Sequence, residues 1–327
     1  MRNPNEPKTL QQAIKHFANL DNCIAYLVPR RWPNGVVCPV CGSQDVAFVT
    51  SRRLWQCKTR HPKAQFSIKV GTIFEDSAIS LEKWLAAMWM VANCKNGVSS
   101  WEIHRALGVT QKSAWFMLHR IRLALQGSPT MKMGGSGSEV EVDETFIGGK
   151  ARNMHANSRR RKRLGHTGCS GKTDIVGLLD RGKEFRGAVV TSRRRPALQD
   201  EIVKHVADGS AVYTDAFMSY EKMPSEYEHK VIDHALQYVN GRVHTNGLEN
   251  FWSLLKRGLK GTYVSVEPFH LFRYLDEQSW RYNNRGSKEN PINDGDRFSM
   301  AVSRIVGKRL TYAEVTGKEG ETTDLTP

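Results

Sequence analysis

The stretch VEVDETFIG, residues 140–148, alternates apolar and polar side chains as a half-buried β-strand does. Alternation places Glu139, Glu141 and Asp143 on one face of that strand. Downstream, TDIVGLLD and KEFRGAVVTS read as two more strands around an Arg181-Gly182 turn. PALQDEIVKHVA reads as a helix with Pro196 in its first turn, where the missing N–H costs nothing. SAVYTD is a strand followed by a short helix, HKVIDH a candidate fifth strand, and GLENFWSLLKRGL a helix. The order is therefore three strands, helix, strand, helix, strand, helix, with no internal repeat.

Carboxylates occupy particular places in this series. Asp143 lies on the first strand, Asp215 ends SAVYTD, and Glu249 follows 34 residues later in the first turn of GLENFWSLLKR. One acid on the first strand, one after the fourth and one on a later helix is the layout of RNase H-like nucleases. Such a trio can hold two divalent metals about 4 Å apart, one activating the attacking oxygen and one stabilising the leaving oxygen of a phosphoryl displacement. Carboxylate oxygens are hard donors of the kind Mg²⁺ prefers. Plainer roles stay open for each acid. Asp215 could cap the next helix. Glu249 could be the third-position acid of a capping box begun at Asn246, and Asp143 a solvated acid on an edge strand. Lys256, seven residues after Glu249, shares its helix face and could grip a phosphate. Trp252 and Phe251 read as core, and Arg257 and Lys260 extend a basic surface.

The 327 residues suffice for two or three domains. Lys and Arg number 48 against 33 Asp and Glu, a net charge of +15, which favours a polyanionic partner. No apolar run approaches the roughly 20 residues of a membrane span, and MRNPNEPKTLQQAIKHF lacks a secretory core. We expect a cytoplasmic protein with no membrane partner. Residues 8–28 read as one amphipathic helix ending before Pro29.

Six cysteines in a chain this long do not make a disulfide scaffold. Cys23, Cys94 and Cys169 stand apart and read as buried residues or free thiols. Cys38-Pro-Val-Cys41 followed by Cys57-Lys-Thr-Arg-His61 has the spacing of one tetrahedral zinc site, with VAFVTSRRLWQC and QFSIKVGTIF as zinc-ribbon hairpins. A redox CxxC needs a helix start in a thioredoxin-like setting, and none is visible. Four protein ligands leave no open position, so this zinc would be structural. Further on, KNGVSSWEIHRALGVTQKSAWFMLHRIRLAL has helix-turn-helix grammar. Ser99 or Ser100 caps a first helix, Gly108 ends it, and Thr110 caps a second carrying Gln111, Lys112, His119, Arg120 and Arg122. An ordinary hairpin with Trp101, Trp115 and Phe116 as core fits the same pattern.

VDETFIGGK, VYTDAFMSY, HTNGLENFWSLLKRGLKGTY and YLDEQSWRYNNR resemble bacterial insertion-sequence DDE transposases with an N-terminal zinc ribbon, as do CPVCGS, GTIFEDS and HRIRLAL upstream. The resemblance spans about residues 15 to 300. It implies a multidomain α+β and α/β chain: an N-terminal helical segment (1–35), a zinc ribbon (36–78), a helix-turn-helix-like DNA-binding region (79–128), a linker (129–138), an RNase H-like catalytic domain (139–300) and a C-terminal tail (301–327). By resemblance Asp143, Asp215 and Glu249 are the catalytic acids, holding two Mg²⁺ or Mn²⁺, with Lys256 following. Related transposases can carry Asn at the third position, which makes Asn246 or Asn250 the alternative ligand. The structural Zn²⁺ falls to Cys38, Cys41, Cys57 and His61, whose CxxxH half departs from the family's pattern. The implied activity is cleavage and strand transfer at terminal inverted repeats, with terminal-repeat and target double-stranded DNA as partners, by a homo-oligomer on DNA in the nucleoid. The alternatives are an RNase H-like nuclease or resolvase without transposition, and a DNA-binding regulator with an inactive catalytic domain.

Overall fold

The computed structural model describes residues 6–127, 130–149, 153–157, 171–232 and 244–317. Cys169 and most of the basic Gly-rich stretch after residue 150 lie outside them. The chain forms two compact units, residues 127–283 and the remainder.

The N-terminal part of the first unit starts with two helices rather than the single one expected, α1 (Leu10–Phe17) and α2 (Leu20–Arg31). The break has a local cause. The Thr9 side chain accepts from Gln12 N–H to start α1, and that of Asn19 accepts from Asp21 N–H to start α2. Pro29 does not end α2; it sits in the last turn, where its missing N–H removes one hydrogen bond. Strands β1 (Val46–Val49), β2 (Leu54–Cys57) and β3 (Gln65–Phe66) form an antiparallel three-stranded sheet. Trp55 packs between Trp32 and Phe66 beneath it.

Helices α3 (Leu81–Asn93), α4 (Ser100–Leu107) and α5 (Gln111–Leu125) follow. Ser99 and Glu102 form a reciprocal capping box on α4, Gly108 ends that helix at φ 59°, and the Thr110 side chain accepts from Ser113 N–H to start α5. The helix-turn-helix grammar is thus carried by the residues that the sequence nominates. The assignment of α5's cations to a DNA-facing surface needs correcting. His119, Arg120 and Arg122 are buried, and Arg120 donates to the carbonyls of Leu310, Ile73 and Glu75. Lys112 remains exposed, whereas Trp101, a core candidate, is 56% exposed.

The second unit is built on one five-stranded sheet. Its strands are β5 (Glu139–Ile147), β6 (Thr173–Asp180), β7 (Phe185–Val190), β9 (Ala211–Asp215) and β10 (Glu228–Ile232). They lie in the order β7-β6-β5-β9-β10. The first three in sequence form an antiparallel meander, and β9 and β10 extend it in parallel with β5. This is the RNase H-like arrangement expected. Helix α6 (Arg195–His205) covers one face, and α7 (Asn246–Gly258) and α8 (Leu271–Asn283) the other. Alternation along β5 sends Val140 and Val142 into the core under α6, with Leu198 and Ile202. The opposite face packs Ile175, Leu179 and Phe185 against Leu248, Phe251 and Trp252 of α7. Part of the expected linker belongs to this unit: β4 (Met133–Gly134) pairs in parallel with β8 (Val206–Ala207), and Met133 is buried in the α6-side core.

After Asn283 the chain returns to the first unit. Helix α9 (Asp294–Val302) brings Phe298 against Trp89, Tyr26 and Phe17, and α10 (Tyr312–Thr316) follows. Lys308 Nζ donates to the carbonyls of Leu123, Ala124 and Gln126, capping the end of α5. Residues 284–300 therefore fold away from the catalytic unit to which they were assigned, and residues 301–317 are an integral part of the first core. The reason is Phe298, whose ring fills an aromatic cluster begun in α1 and α2.

Candidate functional site

Two clusters of chemically capable side chains stand out, one in each unit. In the first unit, turns flanking β1 and β2 bring Cys38, Cys41, Cys57 and His61 together, their ligand atoms all within 4.8 Å of one another. Cys41 Sγ lies 3.7 Å from Cys57 Sγ, and Cys38 Sγ lies 3.4 Å from His61 Nε2. Tetrahedral zinc with Zn–S near 2.3 Å and Zn–N near 2.0 Å demands edges of about 3.8 Å and about 3.5 Å. His61 Nδ1 lies 2.7 Å from the Pro62 carbonyl oxygen, which leaves Nε2 to face the cluster. Burial opposes ionisation of Cys38, but hydrogen bonds from the Cys41 and Val40 N–H groups and from the Cys41 and Cys57 thiols together bring the thiol down to about 7. The donor set, spacing and tautomer all fit a structural Zn²⁺. Of the solitary cysteines, Cys23 is buried, and burial pushes its thiol up to about 12.

In the second unit the acids gather where β5 and β9 run side by side. Glu141 and Tyr213 are the last pair of the β5–β9 ladder; Asp143 and Asp215 each follow two residues further along, on the face of Glu141 and Tyr213, and the charge of Asp215 reaches Asp143. Asp215 Oδ1 accepts from Phe217 N–H at 3.1 Å. Glu249 is exposed in the first turn of α7, which packs over that face. Asp143 is pushed up to about 6, first by burial and then by the charges of Asp215 and Glu249, so the three share one field. They are less tightly gathered than the zinc set; among the described residues the carboxylate oxygens do not converge within 4.8 Å.

Helix α7 is held at the site by contacts from β5. Glu141, 1% exposed, accepts from Leu248 N–H at 3.0 Å and caps the helix from outside. Its other oxygen accepts from Arg181, which also binds Glu139 and the His244 carbonyl. A Cβ on Gly247 would strike Glu141 and Leu179, so any larger residue would force these two side chains to shift. Thr245 is the N-cap residue and Asn246 the first helical one, so Glu249 is not the third-position acid of a box begun at Asn246. One turn further, Trp252 Nε1 donates to Asp143 Oδ2 at 2.9 Å. Trp252 is core, as expected, yet its N–H orients the acid. Gly177, paired with Asp143 on β6, makes room: a Cβ there would lie 2.6 Å from the indole.

At 100° per residue, Glu249 and Lys256 project within about 60° of Trp252, whereas Asn246 and Asn250 point about 120° and 160° away. Lys256 accordingly feels the charge of Asp143, although burial lowers its pKa.

Sequence reasoning missed Glu144. It takes the opposite face of β5, where Tyr220 Oη donates to it at 2.7 Å. Burial, then the charges of Asp215 and Asp143, push it up to about 7 despite that bond. Its adjacency to Asp143 was the only available signal, and period-two alternation argued against it.

Residues 133–283 match the model of the ISXO2-like transposase domain, and residues 19–59, which include the three zinc-site cysteines, match the transposase zinc-ribbon domain. A Halobacterium salinarum protein described as an "Uncharacterized protein in transposable element ISH50" is 29% identical over 262 residues, covering 75% of this chain and 85% of that one. An "Uncharacterized transposase-like protein" of Haemophilus influenzae is 35% identical over 97 residues, covering 29% of this chain and 78% of its own length. No helix among the described residues is long and apolar enough to cross a membrane. A zinc ribbon of the transposase type, an RNase H-like sheet and both domain matches lead to one conclusion: the chain belongs to the family of insertion-sequence transposases that join a zinc ribbon to an ISXO2-like transposase domain.

Proposed function

We propose that the protein binds the terminal inverted repeats of an insertion sequence and catalyses divalent-metal-dependent strand cleavage and strand transfer. The observation that carries this reading is the neighbouring placement of Asp143 and Asp215 on parallel strands, with Glu249 on the helix packed over them. Burial, then the charges of Asp215 and Glu249, hold Asp143 above its ordinary value, a cluster short of positive charge, and an all-oxygen donor set suits Mg²⁺ or Mn²⁺. Asp143, Asp215 and Glu249 would hold two such ions, which when bound activate the attacking oxygen and stabilise the leaving one. The directions of Asn246 and Asn250 around α7 favour Glu249 as the third ligand.

The chain's own groups supply positioning. Trp252 and the Glu144 N–H fix the two oxygens of Asp143. Lys256 reaches toward a DNA phosphate beside the acids. Water attacks the element's terminal phosphodiester and frees a 3′-hydroxyl, which then attacks target DNA. No covalent protein–DNA intermediate is required, so no serine or tyrosine nucleophile is invoked. The zinc ribbon and the α4–α5 pair bind the repeat, in a homo-oligomer assembled on DNA in the nucleoid.

The test uses a duplex made from the DNA flanking the coding region. Asp143→Asn and Asp215→Asn should abolish Mn²⁺-dependent cleavage while preserving duplex binding, and the wild type should join the freed 3′ end to a second duplex. Cleavage that persists in either variant overturns the assignment of the acids. Cleavage without joining supports a nuclease instead.

A further inference from the structure

Beyond Gly258 helix α7 runs on into a π-helical turn, Leu259–Tyr263, which ends in an abrupt reversal. Ser265 N–H donates to the Tyr263 carbonyl at 2.6 Å across Val264, whose backbone sits at φ 62° and ψ −55°. Bond and dihedrals together define a γ-turn of the rare, strained kind. Valine is a poor residue for it: the branched Cβ crowds the backbone at positive φ, and glycine would hold the same turn without strain. Val264 is 79% exposed, so no core contact accounts for its presence.

The residues on either side hold the turn in place. The Tyr263 ring meets Tyr274 edge-on at 4.7 Å, and its hydroxyl donates to the buried Glu277 of α8. Glu277 is in turn paired with buried Arg281, and Val266 packs against the core between α7 and α8. The backbone is thus gripped on both sides of one outward-facing apolar side chain. Strain of this sort persists only where its surroundings over-determine it, and it gathers at functional sites.

The surface leading to this tip is cationic. From Asn250 to Val266 the chain carries Lys256, Arg257 and Lys260 and no acid. Arg257 and Lys260 are exposed. Burial lowers the pKa of Lys256, and the charges of Lys260 and Lys172 add to that effect against the attraction of Asp143. Such a field suits a polyanion. A second copy of a chain with net charge +15 matches it less well than DNA does. At 1.5 Å per residue the tip lies at most about 12 Å past Lys256, a reach of three or four base steps of about 3.4 Å each.

Proteins that kink a duplex push an apolar side chain between two stacked bases while cations hold the nearby backbone. We infer that Val264 is such a wedge. It enters the duplex a few base pairs from the scissile phosphate and unstacks one base step, with Arg257 and Lys260 against the adjoining phosphates. The inference rests on the proposed reading of the acids as the site that cuts DNA.

Base stacking can be read directly. A duplex from the DNA flanking the coding region carries the fluorescent adenine analogue 2-aminopurine at one position at a time around the mapped cut, and the full chain binds it in chelator. The wild type should raise the fluorescence severalfold at one step, and Val264→Ala and Val264→Gly should remove most of that rise. Val264→Gly should melt no lower than the wild type, because the strain is relieved, so its lost signal is not a lost fold. With Mn²⁺ both variants should cut the paired duplex at least about tenfold more slowly, since unstacking then has no wedge to drive it. A mismatch at the unstacked step should restore most of the rate, because an unpaired base is easier to displace. No rise with the wild type, or an undiminished rise with a folded Val264→Ala variant, overturns the wedge. An undiminished rise together with lost self-association in sedimentation would make the tip a contact between copies instead. Asp143→Asn separates the two readings: it should keep the fluorescence rise and lose cleavage. Persistent cleavage there sinks the metal-site assignment, while the stacking signal still decides the role of Val264.

Discussion

Replacing Trp252 by Phe should raise the pH at which the acidic site takes up Mn²⁺ by about one to two pH units. In the wild type Asp143 titrates at about 6, held there mainly by burial. The 2.9 Å bond from Trp252 Nε1 opposes that rise by favouring the ionised carboxylate. A hydrogen bond to a charged group contributes about 1.5–3 kcal/mol, which at 1.36 kcal/mol per pKa unit moves Asp143 from about 6 to about 7–8. Metal binding needs the deprotonated acid. At pH 7 the ionised fraction would fall from roughly nine-tenths to between half and one-tenth. Phenylalanine keeps most of the packing beside Gly177, so the fold survives at a cost of about 1–2 kcal/mol. Calorimetric titration with Mn²⁺ at several pH values reads the midpoint, and circular dichroism checks the fold. A folded variant whose affinity–pH curve overlies the wild type's would show that the indole does not set the charge of Asp143.

Asp143 and Glu144 both titrate above their ordinary values, at about 6 and about 7. Their contribution to stability is therefore fully present below about pH 4 and lost as pH rises through those two values, by about 3 kcal/mol for each taken alone. The chelated protein should melt at a lower temperature at pH 8 than at pH 5, with Mn²⁺ closing the gap; an unchanged melt would contradict the burial of these acids. In the zinc centre, His61→Cys should retain one zinc per chain and Cys57→Ser should lose most of it, read by metal analysis after dialysis against a chelator. Equal zinc content in the serine variant would rule out Cys57 as a ligand.

What the sequence made legible had local signals. The Ser99, Gly108 and Thr110 caps are written in single residues and appear where capping rules put them. The β5 pattern fixed which residues share the face of Asp143, and Pro196 marked the start of α6 on its own. The zinc spacing needed only one knuckle and one return. The errors came from contacts that local pattern cannot report. The α1–α2 break turned on Asn19, a cap inside an otherwise amphipathic run. The domain end at 300 failed because Phe298 packs with Trp89 and Tyr26, partners far away in the chain. His119, Arg120 and Arg122 look solvent-facing by type, but three backbone carbonyls take the donors of Arg120 inside the first unit.

The acidic site shows the same division at closer range. The neighbouring placement of Asp143 and Asp215 follows from strand order, because a parallel neighbour in register repeats the position of β5's carboxylate. Their orientation does not, because it depends on what a strand across the sheet omits. Gly177 lies inside the strand TDIVGLLD, and an interior glycine in a strand marks a close approach. Here the approaching group is the indole that donates to Asp143. Gly247 plays the same part for the start of α7, where the Leu248 N–H is met by buried Glu141. The two glycines together let one helix bring an acid, a cation and a hydrogen-bond donor against a strand bearing the first aspartate. A Gly177→Ala substitution would press on the indole directly, so any change it makes to Mn²⁺ uptake must travel through Trp252 and should vanish in the Trp252→Phe background.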